Sequence, residues 1–370
     1  MPPHPAETTE TKRPVEIGQS LDKRSVWIDR RVSVAPMMDW TDRHCRYFLR
    51  CISPQALLYT EMITAGAVLH GDRQRLLAFD PAEHPVALQL GGSDPHDLAA
   101  AAKLGADLGY DEINLNCGCP SDRVHSGSFG ACLMNEPRRV ADCVMAMCAV
   151  VDVPVTVKLR IGVIDGRARH DARAAAASFD AVDHAALWEF VRGVVEAGAA
   201  ALIVHARKAV LGSWSPKDNR DIPVLRYDIV RELQQEFGSI PIVVNGGVRT
   251  VGQINELLAW SDGVMLGREA YHRPMILHEA DVALGRVAAA SLTRRQVVDR
   301  MLAYCEREMT RGERLSSITR HMLGLYSGQP GAREFRRRLS EGARKPGATP
   351  DLLASAAFAS ADFSLEPASA

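Results

Sequence analysis

The sequence predicts an α/β fold, a (β/α)8 TIM barrel followed by a small C-terminal helical domain, and three observations predict it. Short β-branched runs alternate with longer amphipathic segments eight times between residues 32 and 266. Strict alternation of that kind means parallel strands joined by helical crossovers, and eight units close a barrel. Polar residues or glycines follow nearly every run, as in a barrel that builds its site where the strands end. After Leu284 the strand pattern stops and only helical patterns continue. A doubly wound open sheet would also alternate, but it needs a G-x-G-x-x-G turn after an early strand, and none occurs.

Composition sets the bounds. A chain of 370 residues, 46% hydrophobic and 24% charged, buries a barrel-sized core with a smaller unit beside it, which excludes wholesale disorder. No run of about eighteen apolar residues marks a membrane span. The polar, Pro-rich start lacks the apolar core of a secretory signal. Eight scattered cysteines fit the reduced thiols of a cytoplasmic protein better than a disulfide framework. The formal charge of −1 hides an asymmetry: Leu292 to Lys345 carries 13 Lys+Arg against 6 Asp+Glu, or +7, which leaves −8 for the remainder. A basic segment on an acidic body points to a polyanionic partner.

Taken in order, residues 1–28 are a disordered tail rich in Pro, Glu, Thr and Lys. The barrel occupies 29–284, with strands expected at Val32–Ala35, Leu58–Thr60, Val86–Leu90, Ile113–Asn116, Val155–Leu159, Ala201–Val204, Ile242–Val244 and Val264–Leu266. Helical patterns between them include Asp94–Leu108, Pro137–Val150, Trp188–Ala197, Tyr227–Phe237 and Val251–Trp260. An Ala-, Arg- and Asp-rich insertion spans about 162–183 after the fifth strand, either a helix over the mouth or a mobile loop. A helical domain follows at 285–345, with segments at Leu292–Met309, Arg314–Tyr326 and Arg333–Ala343. Residues 346–370 are expected to be a mostly disordered tail despite one more helical pattern at Pro350–Phe358.

The chemistry gathers at the strand ends. Ile113 and Leu115 alternate with polar residues, and the run then breaks into Cys117-Gly118-Cys119-Pro120, which sets a thiol where a strand stops. Cys119 has two plainer readings, a small buried hydrophobe or half of a metal site. No second Cys/His pair stands at ligand spacing, so no metal is expected. As an acid, an ordinary thiol with a pKa of about 8.5 is mostly protonated at neutral pH and can protonate a carbanion. Asn245-Gly246-Gly247 after the seventh run and Gly267-Arg268 after the eighth stand where barrels hold a phosphate, though glycines there also serve plain tight turns. Lys158 ends an apolar strand, where a cation can stabilise the negative charge of a reduced flavin. Gln89 and His205 add neutral donors or acceptors at neighbouring ends; a lone His there is also common as a structural residue.

Several runs together resemble the tRNA-dihydrouridine synthases: Ala35-Pro36-Met37-Met38-Asp39-Trp40-Thr41-Asp42, Ile113 to Ser121, Phe129-Gly130-Ala131-Cys132-Leu133, His205-Ala206-Arg207-Lys208-Ala209 and Asn245-Gly246-Gly247. Ser215-Pro216-Lys217-Asp218-Asn219-Arg220, Arg320-His321-Met322-Leu323-Gly324-Leu325 and Gly331-Ala332-Arg333 are similar to the A subfamily, and the likeness covers about residues 30–345. The resemblance implies FMN held by Pro36, Met37, Met38, Gln89, Lys158, His205, Asn245, Gly246, Gly247, Gly267 and Arg268. It implies Cys119 as proton donor and Asn116, Lys217, Arg220, Arg333 and Arg336 as tRNA contacts, the last two in a tRNA-binding helical domain. The implied reaction takes hydride from the flavin N5 to C6 of uridines 20 and 20a in the D-loop and a proton from Cys119 to C5, with NADPH or NADH as reductant, in a cytoplasmic monomer. Two departures stand out: Cys117 where a small aliphatic residue is usual, and the long 162–183 insertion. A small-molecule dehydrogenase for dihydropyrimidines or dihydroorotate would need no Arg-rich appendage. A pure tRNA-binding protein would need neither Cys119 nor Lys158.

Overall fold

A computed structural model describes residues 28–120, 129–167 and 171–358. Eight parallel strands form a closed ring: β1 (Val32–Val34), β2 (Leu57–Tyr59), β3 (Val86–Gly91), β4 (Glu112–Cys117), β5 (Val155–Arg160), β6 (Ala201–His205), β7 (Ile242–Asn245) and β8 (Gly263–Leu266). Each pairs with its neighbour in chain order, and β8 returns to β1 with Val32 opposite Val264. All eight expected strands are present. A further pair, Val163–Asp165 with Ala209–Leu211, lies beyond the carboxyl ends of β5 and β6.

The period of two divides each strand between two cores. Ile113, Leu115, Cys117, Val155, Val157 and Leu159 join the main core under the helices. The barrel interior has an apolar half built on Tyr59, Ala87, Ile203, Val243 and Met265. Its other half is polar, with Gln89, Glu112, Asn114, Asn116 and Thr156 all buried.

The helices begin where short side chains satisfy their first N–H groups. Asp94 accepts from His96 and Asp97 ahead of the Pro95–Asp107 helix. Asp180 and Asp183 form a reciprocal capping box that starts the next long helix at Ala181, seven residues before the expected Trp188. The insertion therefore contributes the start of that helix as well as a short one at Ala172–Ala177. It is fastened to the sheet pair by the buried Lys208, which donates to Asp183 at 2.5 Å and to the Ala175 carbonyl at 3.1 Å.

The helical domain comprises Arg294–Thr310, Leu315–Thr319, Ala332–Gly342 and Asp351–Phe358. Two expectations need correction. The helix expected over Arg314–Tyr326 stops at Thr319 and gives way to tight turns, in which His321 N–H bonds to the Ile318 carbonyl and Met322 N–H to that of Thr319. Gly324 packs so closely on the helix after β8 (Arg268–His272) that a Cβ there would stand 2.6 Å from the His272 carbonyl. Part of the tail expected over 346–370 is folded. Leu353, Ala356 and Ala357 recur at helical spacing and are buried, and their helix packs against Arg294–Thr310 and Ala332–Gly342. Residues 1–27 and 359–370, where disorder was expected, lie outside the described residues. The domain is tied to the barrel by Arg43 with Glu308 and Glu313, Asp42 with Arg320 and His321, and a 2.7 Å hydrogen bond between His44 and Tyr304. Among the described residues no helix is long and apolar enough to cross a membrane.

Candidate active site

The thiol loop is held from three sides. Asn116, at the end of β4, accepts from the backbone N–H of Gly118 at 3.1 Å and of Cys119 at 3.0 Å. Arg160, at the end of β5, donates from Nε to the Gly118 carbonyl at 2.9 Å. The Cys119 carbonyl accepts the Ala131 N–H at 2.9 Å. Cys119 is half-buried, and its sulfur interacts electrostatically with Lys158, Arg160 and Arg220. Cys117 points the other way, fully buried in the helix layer, and burial pushes its pKa up. The two neighbouring thiols are thereby separated: one lies in the core and the other at the mouth. Ser121, the last residue of the thiol motif, lies outside the described residues.

Register lines the other polar ends up beside it. Asn116 stands opposite Lys158, Arg160 opposite His205, and His205 opposite Asn245. Lys158 Nζ donates to Asn245 Oδ1 at 3.1 Å, and Asn245 Nδ2 donates to the Met265 carbonyl at 2.8 Å. Burial, with Arg160 adding repulsion, lowers the Lys158 pKa to about 7. Burial and the charges of Arg160, Lys158, Arg207 and Arg220 hold His205 well below its ordinary range, so its ring is neutral at pH 7. Gln89 is buried between Asn114 and Asn116.

The loops after β7 and β8 complete the ring. Gly246 and Gly247 adopt φ of 115° and 73°, conformations that favour glycine. A Cβ on Gly246 would stand 2.6 Å from His205 Cδ2, and one on Gly247 would stand 2.4 Å from Leu225 Cδ1. Tyr227 donates its hydroxyl to the Gly246 carbonyl. Arg268 pairs with Asp221 at 2.6 Å. Burial lowers the pKa of Arg207 and Arg220, and Arg268 repels both while Asp221 attracts them. Three guanidinium groups around one carboxylate are a donor set of the kind that binds anions. The glycine cradle and this donor set fit the phosphate of a flavin mononucleotide. Met37 is half-buried against the barrel interior beside Gly267, and Pro36 is half-buried before it. Met38 is exposed and lines a cleft of about 820 Å³ between barrel and helical domain, with Glu61, Arg75, Ser316 and Arg344.

Of the expected RNA contacts, Asn116 is only 7% exposed, and its oxygen is committed to the thiol loop. Lys217 and Arg220 are exposed around the short Asp218–Asp221 helix. Arg333 and Arg336 are exposed and form no ion pair among the described residues. Their neighbours Arg337 and Arg338 both pair with Glu334 at 2.7 Å, and Arg337 also with Glu341 at 3.4 Å. Sequence reasoning left Arg160 out of the site. Its guanidinium also donates to the carbonyls of Lys208 at 3.1 Å and Asn219 at 3.0 Å, so one side chain binds three loops. The signal was available, since Thr156, Lys158 and Arg160 share the inner face at a period of two.

This barrel, with a half-buried thiol and a glycine turn at its mouth, has clear counterparts. Residues 33–361 match the family model described as dihydrouridine synthase (Dus). The chain belongs to the dihydrouridine synthase family, whose members are flavin-dependent oxidoreductases. Its relatives include the tRNA-dihydrouridine(20/20a) synthase of Xanthomonas campestris pv. campestris, 54% identical over 87% of this chain and 91% of the relative. Those of Vibrio cholerae and Pseudomonas aeruginosa are each 52% identical, over 86% and 85% of this chain and 93% and 90% of their own lengths. Among solved structures, an old yellow enzyme homologue from Zymomonas mobilis aligns with a TM-score of 0.47 at 14% identity, over 71% of this chain and 90% of that one.

Proposed function

We propose that this protein reduces the C5–C6 double bond of uridines 20 and 20a in the D-loop of tRNA, in the cytoplasm. FMN, with NADPH or NADH as its reductant, supplies the hydride for C6. Gly246, Gly247, Gly267 and Arg268 hold its phosphate, while Lys158, Gln89, His205, Asn245 and Pro36 to Met38 surround the rest. Hydride addition at C6 leaves an enolate across C5, C4 and O4 of the base, and Cys119 protonates C5. The chain's own contribution is positioning: it holds a flat base between the mouth and a fixed thiol. A uracil inside folded RNA must leave its stack to reach that place, at a cost offset by binding the rest of the tRNA. Lys217, Arg220, Arg333 and Arg336 supply phosphate contacts that set register without reading sequence.

The observation that carries this reading is the clamped Cys119 turn, whose thiol interacts with Lys158 and Arg220 at the barrel mouth. Cys119→Ala tests it. The variant is expected to bind tRNA and oxidise NADPH slowly, while dihydrouridine formation, counted by nucleoside mass spectrometry, falls by orders of magnitude. Equal product from variant and wild type would remove the thiol from the mechanism. Turnover of free uracil or orotate without RNA would replace the substrate assignment.

A further inference from the structure

Glu112, Asn114 and Asn116 take alternate places on β4 and share its inner face. Gln89 on β3 and Thr156 on β5 join them into one chain of hydrogen bonds, and every link runs the same way. Asn116 Nδ2 donates to Gln89 Oε1 at 2.8 Å, and Gln89 Nε2 donates to Asn114 Oδ1 at 2.7 Å. Asn114 Nδ2 donates to Thr156 Oγ1 at 2.8 Å, and Thr156 donates to Glu112 Oε1 at 2.5 Å. The same carboxylate receives the Tyr59 hydroxyl at 2.6 Å and Arg30 at 2.5 Å. Each member from Asn116 to Glu112 is buried.

An ionised carboxylate accepts hydrogen bonds and donates none. Paired with Arg30, Glu112 therefore decides which way the Thr156 hydroxyl points, and that choice passes from amide to amide. Each must turn its N–H towards Glu112 and its oxygen away. At the far end the consequence is structural, because Asn116 Oδ1 is left facing the backbone N–H groups of Gly118 and Cys119. Were the Asn116 amide reversed, N–H would meet N–H at both of those contacts, and oxygen would meet oxygen at Gln89.

We propose that Glu112 is a positioning residue for Cys119: through Thr156, Asn114 and Gln89 it orients the Asn116 amide that seats the Gly118–Cys119 turn. The effect on turnover rests on the reading of Cys119 as the acid, whereas the seating itself does not. Thr156→Val removes the linking hydroxyl with little change of shape, and Thr156→Ser restores it. The assay is the rate at which iodoacetamide alkylates Cys119 in the full-length protein, with the modified sulfur located by tandem mass spectrometry. Thr156→Val is expected to react about fivefold faster, the shift in population that loss of one net hydrogen bond produces. Thr156→Ser is expected to react at the wild-type rate. A wild-type rate in Thr156→Val overturns the proposal. So does a Thr156→Ser rate as fast as that of Thr156→Val, which would assign the effect to packing.

If Thr156→Val fails to fold, the double variant Arg30→Met with Glu112→Met removes the acceptor at the end of the chain without leaving a lone buried charge. It too is expected to react faster at Cys119, and a wild-type rate overturns the proposal. Faster alkylation in Thr156→Val together with full activity in Cys119→Ala would sink the acid reading and leave the seating intact.

Discussion

Arg160→Met removes the donor shared by three loops. Arg160 is 3% exposed and donates to the carbonyls of Gly118, Lys208 and Asn219. A hydrogen bond to a charged group contributes about 1.5–3 kcal/mol, so three sum to roughly 4–9 kcal/mol. Part of that is already spent on keeping the guanidinium out of water, since burial lowers its pKa to about 10. The net loss is therefore expected near the 3–5 kcal/mol typical of breaking a buried charged contact. The assay is urea unfolding followed by far-UV circular dichroism, run beside Arg160→Lys, whose single ammonium replaces only part of the fork. The expected order is wild type, then Lys, then Met. Removing Arg160 also removes the main charge repelling Lys158, so the Lys158 pKa should rise above 7. A methionine variant within about 1 kcal/mol of wild type, the spread of neutral surface changes, would refute the claim that this side chain holds the site together.

Lys158 makes a pH-dependent contribution of known sign. Its folded pKa of about 7 lies below the 10.5 of an ordinary lysine, so between those values the unfolded chain binds the extra proton and stability rises with pH, by at most about 1.4 kcal/mol per unit. Lys158→Met should flatten that rise in unfolding free energy measured from pH 7 to 10, and an unchanged slope would contradict the burial argument. Gly246→Ala meets both a φ of 115° and the His205 ring; purified protein should hold much less flavin by its visible absorbance, and full occupancy would dismiss the cradle. Changing Arg333 and Arg336 to Ala should lower the salt slope of tRNA binding by about 0.7–0.9 per lost phosphate contact, measured by filter binding. Arg337→Ala, whose charge is held by Glu334, should leave the slope unchanged; the opposite ranking would place the RNA elsewhere.

Local pattern determined a great deal here, because element type depends on neighbours along the chain. The β-branched runs, their spacing and the polar residue after each were enough for the barrel and for the positions of Lys158, His205 and Asn245 at one mouth. Gln89 lies one layer deeper, opposite Asn114. The capping box at Asp180–Asp183 was equally visible, and its omission misplaced one helix start; the helical pattern at Pro350–Phe358 was seen but assigned to the tail.

The rest belonged to the tertiary structure. The close approach of Gly324 to the carbonyl of His272, far back in the chain, has no local signature. The family resemblance implied Asn116 as an RNA contact; only the fold shows that it is buried and turns its oxygen onto the thiol loop. By itself, then, the sequence determined which residues stand at the mouth of the barrel. Which arginines remain unpaired, and which way each buried amide faces, were decided only when strands distant in sequence came together, because charge pairing and amide orientation depend on neighbours in space.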